Sequence, residues 1–109
     1  MNLSKKAEQI IMSSSEGERL KQVILFTQNK TAEMGVELTE LQWTVLVNHL
    51  DEMLKRSLNN QEITGIDSQL FTEISKEALE IAEAIVLEIG NLSQSEMYVL
   101  SIHFENGKQ

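Results

Sequence analysis

The sequence predicts an all-α fold, a compact bundle of about five antiparallel helices. Two observations lead to this prediction. Apolar residues recur at the three- and four-residue spacing of amphipathic helices, and no segment keeps the strict alternation of a strand. Proline is absent, and Gly35, Gly65 and Gly90 follow helical periods at places where a left-handed residue can end a helix. Short joining segments favour antiparallel neighbours.

The first two helices are predicted at residues 3–13 and 16–34. Ser15 and Glu18 have the spacing of a capping box, in which the serine oxygen accepts from a free backbone N–H and the glutamate reaches back. Gly35 marks the end of the second helix. The recurring apolar residues of that helix are Val23, Leu25, Phe26 and Met34.

The third helix is predicted at residues 39–58. Thr39 and Gln42 form a second capping box, with the glutamine in the role of the glutamate. One face of the helix is an apolar stripe, which predicts that this face is buried. Its members are Leu46, Leu50, Met53, Leu54 and Leu58.

The last two helices are predicted at residues 68–89 and 93–106. Either Asp67 or Ser68 can cap the fourth helix, and Ser93 begins a third capping-box pattern before the fifth. The fourth helix carries an apolar stripe, whereas the fifth is apolar nearly all round. A helix of the second kind is expected to lie between the core and a partner, on its side near Val99 and Ile102.

The predicted organisation is an N-terminal extension or short helix at residues 1–15 and a single helical domain at residues 16–109. The chain contains no cysteine and has a net charge of −8. Such an acidic surface repels nucleic acid, and no segment resembles a signal peptide or a membrane span. We therefore expect a cytoplasmic protein whose partners are other proteins or small ligands.

Only two histidines occur, His49 and His103, and both lie among apolar residues. Spacing alone leaves two interpretations open: a partly buried imidazole that donates to a backbone carbonyl, or an accessible imidazole that accepts a phosphoryl group or titrates near neutrality. Metal binding is disfavoured because Leu46 and Leu100 stand three residues before the histidines, where a helical di-iron site needs glutamate. No catalytic or cofactor-binding motif occurs, so the expected catalytic, metal and cofactor sites are none.

Three segments together resemble a known family. They are "MGVELTELQWTVLVNHLDEMLKR", "FTEISKEALEIAEAIVLEIG" and "NLSQSEMYVLSIHFENG", which begin at Met34, Phe71 and Asn91. In order and spacing they resemble the PTS regulation domain (PRD) of bacterial antiterminators and activators, from about Glu16 to Gly107. The chain differs from the common pattern at Asn48, where an acidic residue is usual, and at Ser93, where proline is usual.

The resemblance implies a helical regulatory domain that is not an enzyme and that dimerises. It implies that His49 and His103 are phosphorylated by phosphotransferase-system proteins, such as the phosphocarrier HPr or a sugar-permease subunit. The function expected is a stand-alone regulatory module that acts by protein–protein association, as a homodimer or with a related chain. The alternatives are an assembly protein that has kept only the fold, and a small metal- or ligand-binding helical enzyme.

Overall fold

The computed structural model describes residues 3–107 and confirms the all-α class: within that range it contains helices and no strand. Helix α1 spans Lys5–Ser13, α2 Gly17–Met34, α3 Glu40–Leu58, α4 Lys76–Ile89 and α5 Ser95–Asn106, with a short 3-10 helix at Ser68–Phe71 before α4. Helix α4 packs against α5 and α2, while α1 packs against α3 and α2.

The core lies where the apolar stripes of these helices meet. Its largest fully buried side chains include Trp43, Phe104, Leu46, Leu50, Ile81, Ile85 and Leu100. The Cα radius of gyration is 13.1 Å, close to the roughly 13 Å expected for a compact chain of about 100 residues. Helix α1 belongs to this core, because Ala7 is fully buried and the Ser4 hydroxyl is 2.6 Å from that of Thr44 on α3.

The turn between α2 and α3 follows the sequence pattern. Gly35 ends α2 with a positive φ of 71°, a conformation that glycine adopts without steric cost. The predicted capping box is present at the start of α3: Thr39 Oγ1 accepts from the Gln42 N–H, and Gln42 Oε1 accepts from the Thr39 N–H. This turn therefore sets where α3, the helix of the first histidine, begins.

The capping box predicted at Ser15 is wrong. The residue before α2 is Glu16, which makes no side-chain cap, and Glu18 pairs with Lys21 on the surface. The hydroxyl of Ser14 instead accepts from the Glu16 N–H and donates to the Asp51 carboxylate on α3. A contact between helices replaces the local cap.

The predicted start of the fourth helix at residue 68 is also wrong, because α4 begins at Lys76. Asp67 does cap, but it caps the 3-10 helix, by accepting from the Gln69 N–H. The N-cap of α4 is Ser75, whose Oγ accepts from the Ala78 N–H and whose own N–H donates to Glu105 on α5.

Two further residues that the sequence suggests as helix boundaries, Gly65 and Ser93, neither end nor cap a helix. Gly65 has a positive φ of 76° but lies in the loop after α3, which ends at Leu58. Before α5 the predicted cap at Ser93 fails, because its hydroxyl is buried without a hydrogen-bond partner. Glu96, the expected return partner, turns into the protein interior.

Candidate functional site

The two histidines are in direct contact. Helix α3 carries His49 and α5 carries His103, and His49 Nδ1 lies 2.8 Å from His103 Nε2. The two ring centroids are 4.9 Å apart, with the planes tilted by 53°. Both side chains are half-buried, so the pair lies at the edge of the core.

The register between α3 and α5 explains why the two rings meet. Seven residues after His49 on α3, Arg56 binds the carboxylate of Glu96, which lies seven residues before His103 on α5. The helices are therefore antiparallel, and a step of two turns along each leads from the histidine pair to the ion pair. Farther along, the Gln42 amide donates to the Asn106 carbonyl over 3.3 Å.

The ion pair beside the histidines is buried and bidentate. Arg56 Nε and Nη2 donate to the two Glu96 oxygens over 2.7 and 2.8 Å, and Glu96 is fully buried. Such fork-to-fork geometry fixes both side chains strongly. The contact holds the C-terminal half of α3 to the first turn of α5, and this orients both histidines.

Burial keeps both imidazoles in the neutral form. It lowers the pKa of His49, with a further lowering from the charge of Arg56 that Glu96 partly opposes. Burial and the nearby His49 lower the pKa of His103 to about 4. Both rings are thus mostly uncharged at neutral pH, which is the state in which an imidazole nitrogen carries a reactive lone pair.

Each imidazole also keeps one nitrogen outside the contact. These are His49 Nε2 and His103 Nδ1, and neither has a hydrogen-bond partner within residues 3–107. The interpretation of a histidine that donates to a backbone carbonyl is therefore not what the structure shows. Each histidine has the other as its polar partner, and its second ring nitrogen makes no hydrogen bond to the described residues.

The charged residues near the pair are mostly engaged with one another. Lys55 binds Asp51 over 3.1 Å, and Asn48 donates to Glu52 over 3.2 Å. Glu105 caps the backbone before α4. The two cations nearest to His49 along α3, Lys55 and Arg56, are both bound to carboxylates. Lys108, five residues after His103 in the sequence, lies outside the described residues.

Exposed apolar residues lie close to the histidines in sequence on both helices. Val45, one turn before His49, is 51% exposed, and Ile102, next to His103, is 40% exposed. Leu41, one turn before Val45, is also exposed. Leu41, Val45 and Ile102 are thus exposed apolar residues on the two helices that carry the histidines.

Other features of the described residues lie away from the histidines. A surface cavity of about 690 Å³ lies between the end of α2 and the start of α3, and another of about 550 Å³ lies at the α1–α2 turn; neither is lined by a histidine. No group of three or more His, Cys, Asp or Glu side chains within residues 3–107 is arranged to hold a metal ion. In the same range, no helix has the length and apolar character needed to span a bilayer.

The sequence pattern did not reveal Arg56 and Glu96 as a pair. On α3 the arginine lies seven residues after the histidine, and on α5 the glutamate lies seven residues before it. This equal spacing, with opposite charges, is the sequence signal that could have identified the pair. The sequence pattern places Glu96 in a capping box with Ser93, because local patterns do not show which way a side chain turns.

A model of the family described as "PRD domain" matches residues 23–107. The chain belongs to the PRD family. The matched region contains α3, α4 and α5, and with them the histidine pair and its neighbouring ion pair. PRD domains are regulatory domains, and the family resemblance of the three sequence segments is confirmed.

A solved structure is similar over nearly the whole PRD chain. It is the crystal structure of a PRD-containing transcription regulator from Lactobacillus casei ATCC 334, with a TM-score of 0.94 and 34% sequence identity. The similarity covers 98% of this chain and 96% of that chain. A search among curated proteins finds no match.

Proposed function

We propose that this PRD chain is a regulatory module whose His49 and His103 accept phosphoryl groups from phosphotransferase-system proteins. The observation that carries the proposal is the contact between the two imidazoles, each of which keeps one nitrogen without a protein partner. These are the two positions at which the family resemblance implies phosphorylation. The donor class is the phosphocarrier HPr or a sugar-permease subunit.

The chemistry requires a neutral imidazole that a phosphodonor can reach. The lone pair of a free ring nitrogen attacks phosphorus in line, the N–P bond forms, and the bond from phosphorus to the donor atom breaks with its electron pair left on the donor. The lowered pKa of each histidine favours the neutral form at cytoplasmic pH. Partial exposure of both side chains supports access.

The output of the module is association with another protein chain. Exposed Val45 and Ile102 beside the pair provide an apolar contact surface, and a second copy or a related chain is the proposed partner. A phosphoryl group adds nearly two negative charges at this surface. Because Arg56 and Lys55 are already bound to carboxylates, the added charge is expected to loosen the association.

The test is phosphorylation in a reconstituted phosphotransferase system, with intact mass and site mapping under conditions that preserve phosphohistidine. Wild type is compared with His49→Ala, His103→Ala and the double variant, and Asn48→Ala is the control for a change on the exposed side of α3. We expect label on both histidines of the wild type and none on the double variant, because the chain has no other histidine. A wild type that takes up no phosphoryl group from either donor class contradicts the proposal.

One observation favours a second function, in which the pair only stabilises the fold. The two half-buried rings satisfy one nitrogen of each other, as a structural contact would. In that case the chain is an assembly protein that has kept the PRD fold without phosphorylation. Loss of helix–helix stability in the alanine variants, with no labelling of the wild type, would select this function.

A further inference from the structure

The contact between His49 and His103 constrains where the protons of the two rings lie. We infer that the two imidazoles share one tautomeric state, so that the unmodified chain presents a single nucleophilic nitrogen at a time, and that each histidine is the proton partner of the other during phosphoryl transfer. The second part rests on the proposed function, whereas the first part can be measured without it.

The argument begins with the hydrogen bond. The distance of 2.8 Å between His49 Nδ1 and His103 Nε2 requires one nitrogen to donate and the other to accept. A neutral imidazole carries one N–H and one lone pair. If His49 Nδ1 donates, His49 Nε2 has the lone pair, and His103, which accepts at Nε2, has its proton on Nδ1.

If the hydrogen bond runs in the opposite direction, the tautomer of both rings is exchanged. If His103 Nε2 donates, His103 Nδ1 has the lone pair and the proton of His49 lies on Nε2. In the first state both rings are protonated on Nδ1, and in the second both are protonated on Nε2. One free nitrogen is nucleophilic in each state, on His49 in the first and on His103 in the second.

The same bond assigns a role to the partner during transfer. When His49 Nε2 attacks, its lone pair forms the N–P bond, the bond from phosphorus to the donor atom breaks, and the donor atom keeps that electron pair. The His49 ring becomes positively charged, with its remaining proton on Nδ1. His103 Nε2 accepts the hydrogen bond from that proton and so stabilises the charge. The roles are exchanged when His103 Nδ1 attacks.

The surroundings leave this role to the partner histidine. Within residues 3–107, neither ring has a carboxylate or carbonyl as a hydrogen-bond partner. Glu96, the buried carboxylate whose charge raises the pKa of His49, has both oxygens bound to Arg56. In catalytic histidines an acceptor on the second ring nitrogen sets the tautomer, and here the acceptor is another imidazole.

The first experiment measures tautomers in the unmodified protein by long-range ¹H–¹⁵N correlation of the imidazoles. We expect both rings to show the same tautomer or the same mixture, and His103→Ala to shift the ¹⁵N pattern of His49 towards that of a free imidazole. Opposite tautomers, with N–H groups on both facing nitrogens or lone pairs on both, would overturn the inference. This result does not depend on phosphorylation.

The second experiment compares initial rates of single-site phosphorylation in variants that keep or remove the facing polar atom. In His103→Gln an amide group takes the place of Nε2, and in His49→Asn one takes the place of Nδ1, whereas alanine at either position offers none. We expect alanine at one position to slow phosphorylation of the other histidine on the order of 10²-fold, and the amide variants to restore most of that rate.

Equal rates for the alanine and amide variants would overturn the role of the partner in transfer. Backbone amide spectra identify any alanine variant that has lost the fold, and leucine at the same position, which also offers no facing polar atom, then replaces it in the comparison. A wild type that takes no phosphoryl group would reject the proposed function, and the tautomer measurement would still decide whether the two rings are coupled.

Discussion

The contact between His49 Nδ1 and His103 Nε2 disfavours one protonation state of the pair. If both rings were protonated, two N–H groups and two positive charges would face each other over 2.8 Å. This repulsion adds to the cost of burial, which is the largest cause of the lowered pKa of each ring. Protonation of the pair at acid pH therefore lowers the stability of the fold.

The first prediction concerns stability against pH. The pKa of His103 is about 4 in the folded chain and near 6.5 when unfolded, so the unfolded chain binds more protons between these values. Stability from this source is complete above about pH 6.5 and is lost progressively as the pH falls towards about 4. From about pH 7.5 to 5.5, wild type should lose about 1 kcal/mol more unfolding free energy than His103→Gln, after discounting for partial exposure.

The measurement is urea unfolding across this pH range with both proteins in the same buffers. His49→Asn provides a second comparison, because it removes the partner charge and leaves His103 in place. Parallel pH curves for wild type and His103→Gln would contradict the prediction.

The second prediction concerns the buried ion pair. Arg56→Ala leaves the Glu96 carboxylate in the interior without its partner, and this should cost about 3–5 kcal/mol of unfolding free energy. Lys21→Ala is the control, because its pair with Glu18 is exposed and should contribute at most about 1 kcal/mol. A loss in Arg56→Ala as small as in the control, measured by chemical denaturation, would contradict the prediction.

At the scale of the helices, side-chain hydrogen bonds cap α3 and α4 but neither α2 nor α5, and of these two caps only that of α3 is entirely local. The Thr39 box at α3 is formed within four residues. The cap of α4 depends on both Ser75 and a carboxylate from α5. Before α2, Ser14 reaches across to α3. Local pattern and tertiary contact therefore compete for the same polar groups.

The third prediction tests this competition. Ser75→Ala removes the side-chain acceptor for the Ala78 N–H and should cost about 1 kcal/mol, whereas Ser15→Ala should change stability by less than about 0.5 kcal/mol, because Ser15 caps no helix. Thermal or urea unfolding of the two variants under the same conditions is the measurement. A larger loss at Ser15 than at Ser75 would contradict the prediction and favour the capping box that the sequence pattern predicted at Ser15.

At the scale of the whole molecule, helices α3 and α5 together carry the histidine pair, the ion pair and exposed apolar side chains. Val45 and Ile102, on the same two helices as the rings, are 51% and 40% exposed. A charge added to either ring therefore lies at the surface where association is proposed. The proposed regulation by phosphorylation relies on this arrangement of the two histidines and the exposed apolar side chains on one pair of helices.

The fourth prediction concerns association. The unmodified chain should dimerise at micromolar concentration, and His103→Asp should weaken the dimer about tenfold relative to the neutral His103→Asn, which corresponds to about 1.4 kcal/mol. The asparagine variant matches aspartate in size, so the comparison isolates charge. Sedimentation velocity over a concentration series gives the Kd of each variant. A monomeric wild type, or equal affinities for the two variants, would contradict the prediction.

The sequence by itself determined the class of the fold and most helix ends. Apolar periodicity, the left-handed Gly35 and the Thr39 capping box act within about one turn of helix, so they can be read from neighbouring residues. The resemblance of three segments to the PRD family, with the presence of only two histidines in the chain, predicted His49 and His103 as the candidate site.

Only the tertiary structure decided what these residues contact. The two histidines are 54 residues apart in sequence, and their meeting depends on the antiparallel register of α3 against α5. That register also turns Glu96 towards Arg56 and away from the local cap that its sequence pattern suggested. A buried charge gains more from a bidentate cation than from one backbone N–H, so packing overrides the local pattern where the helices meet.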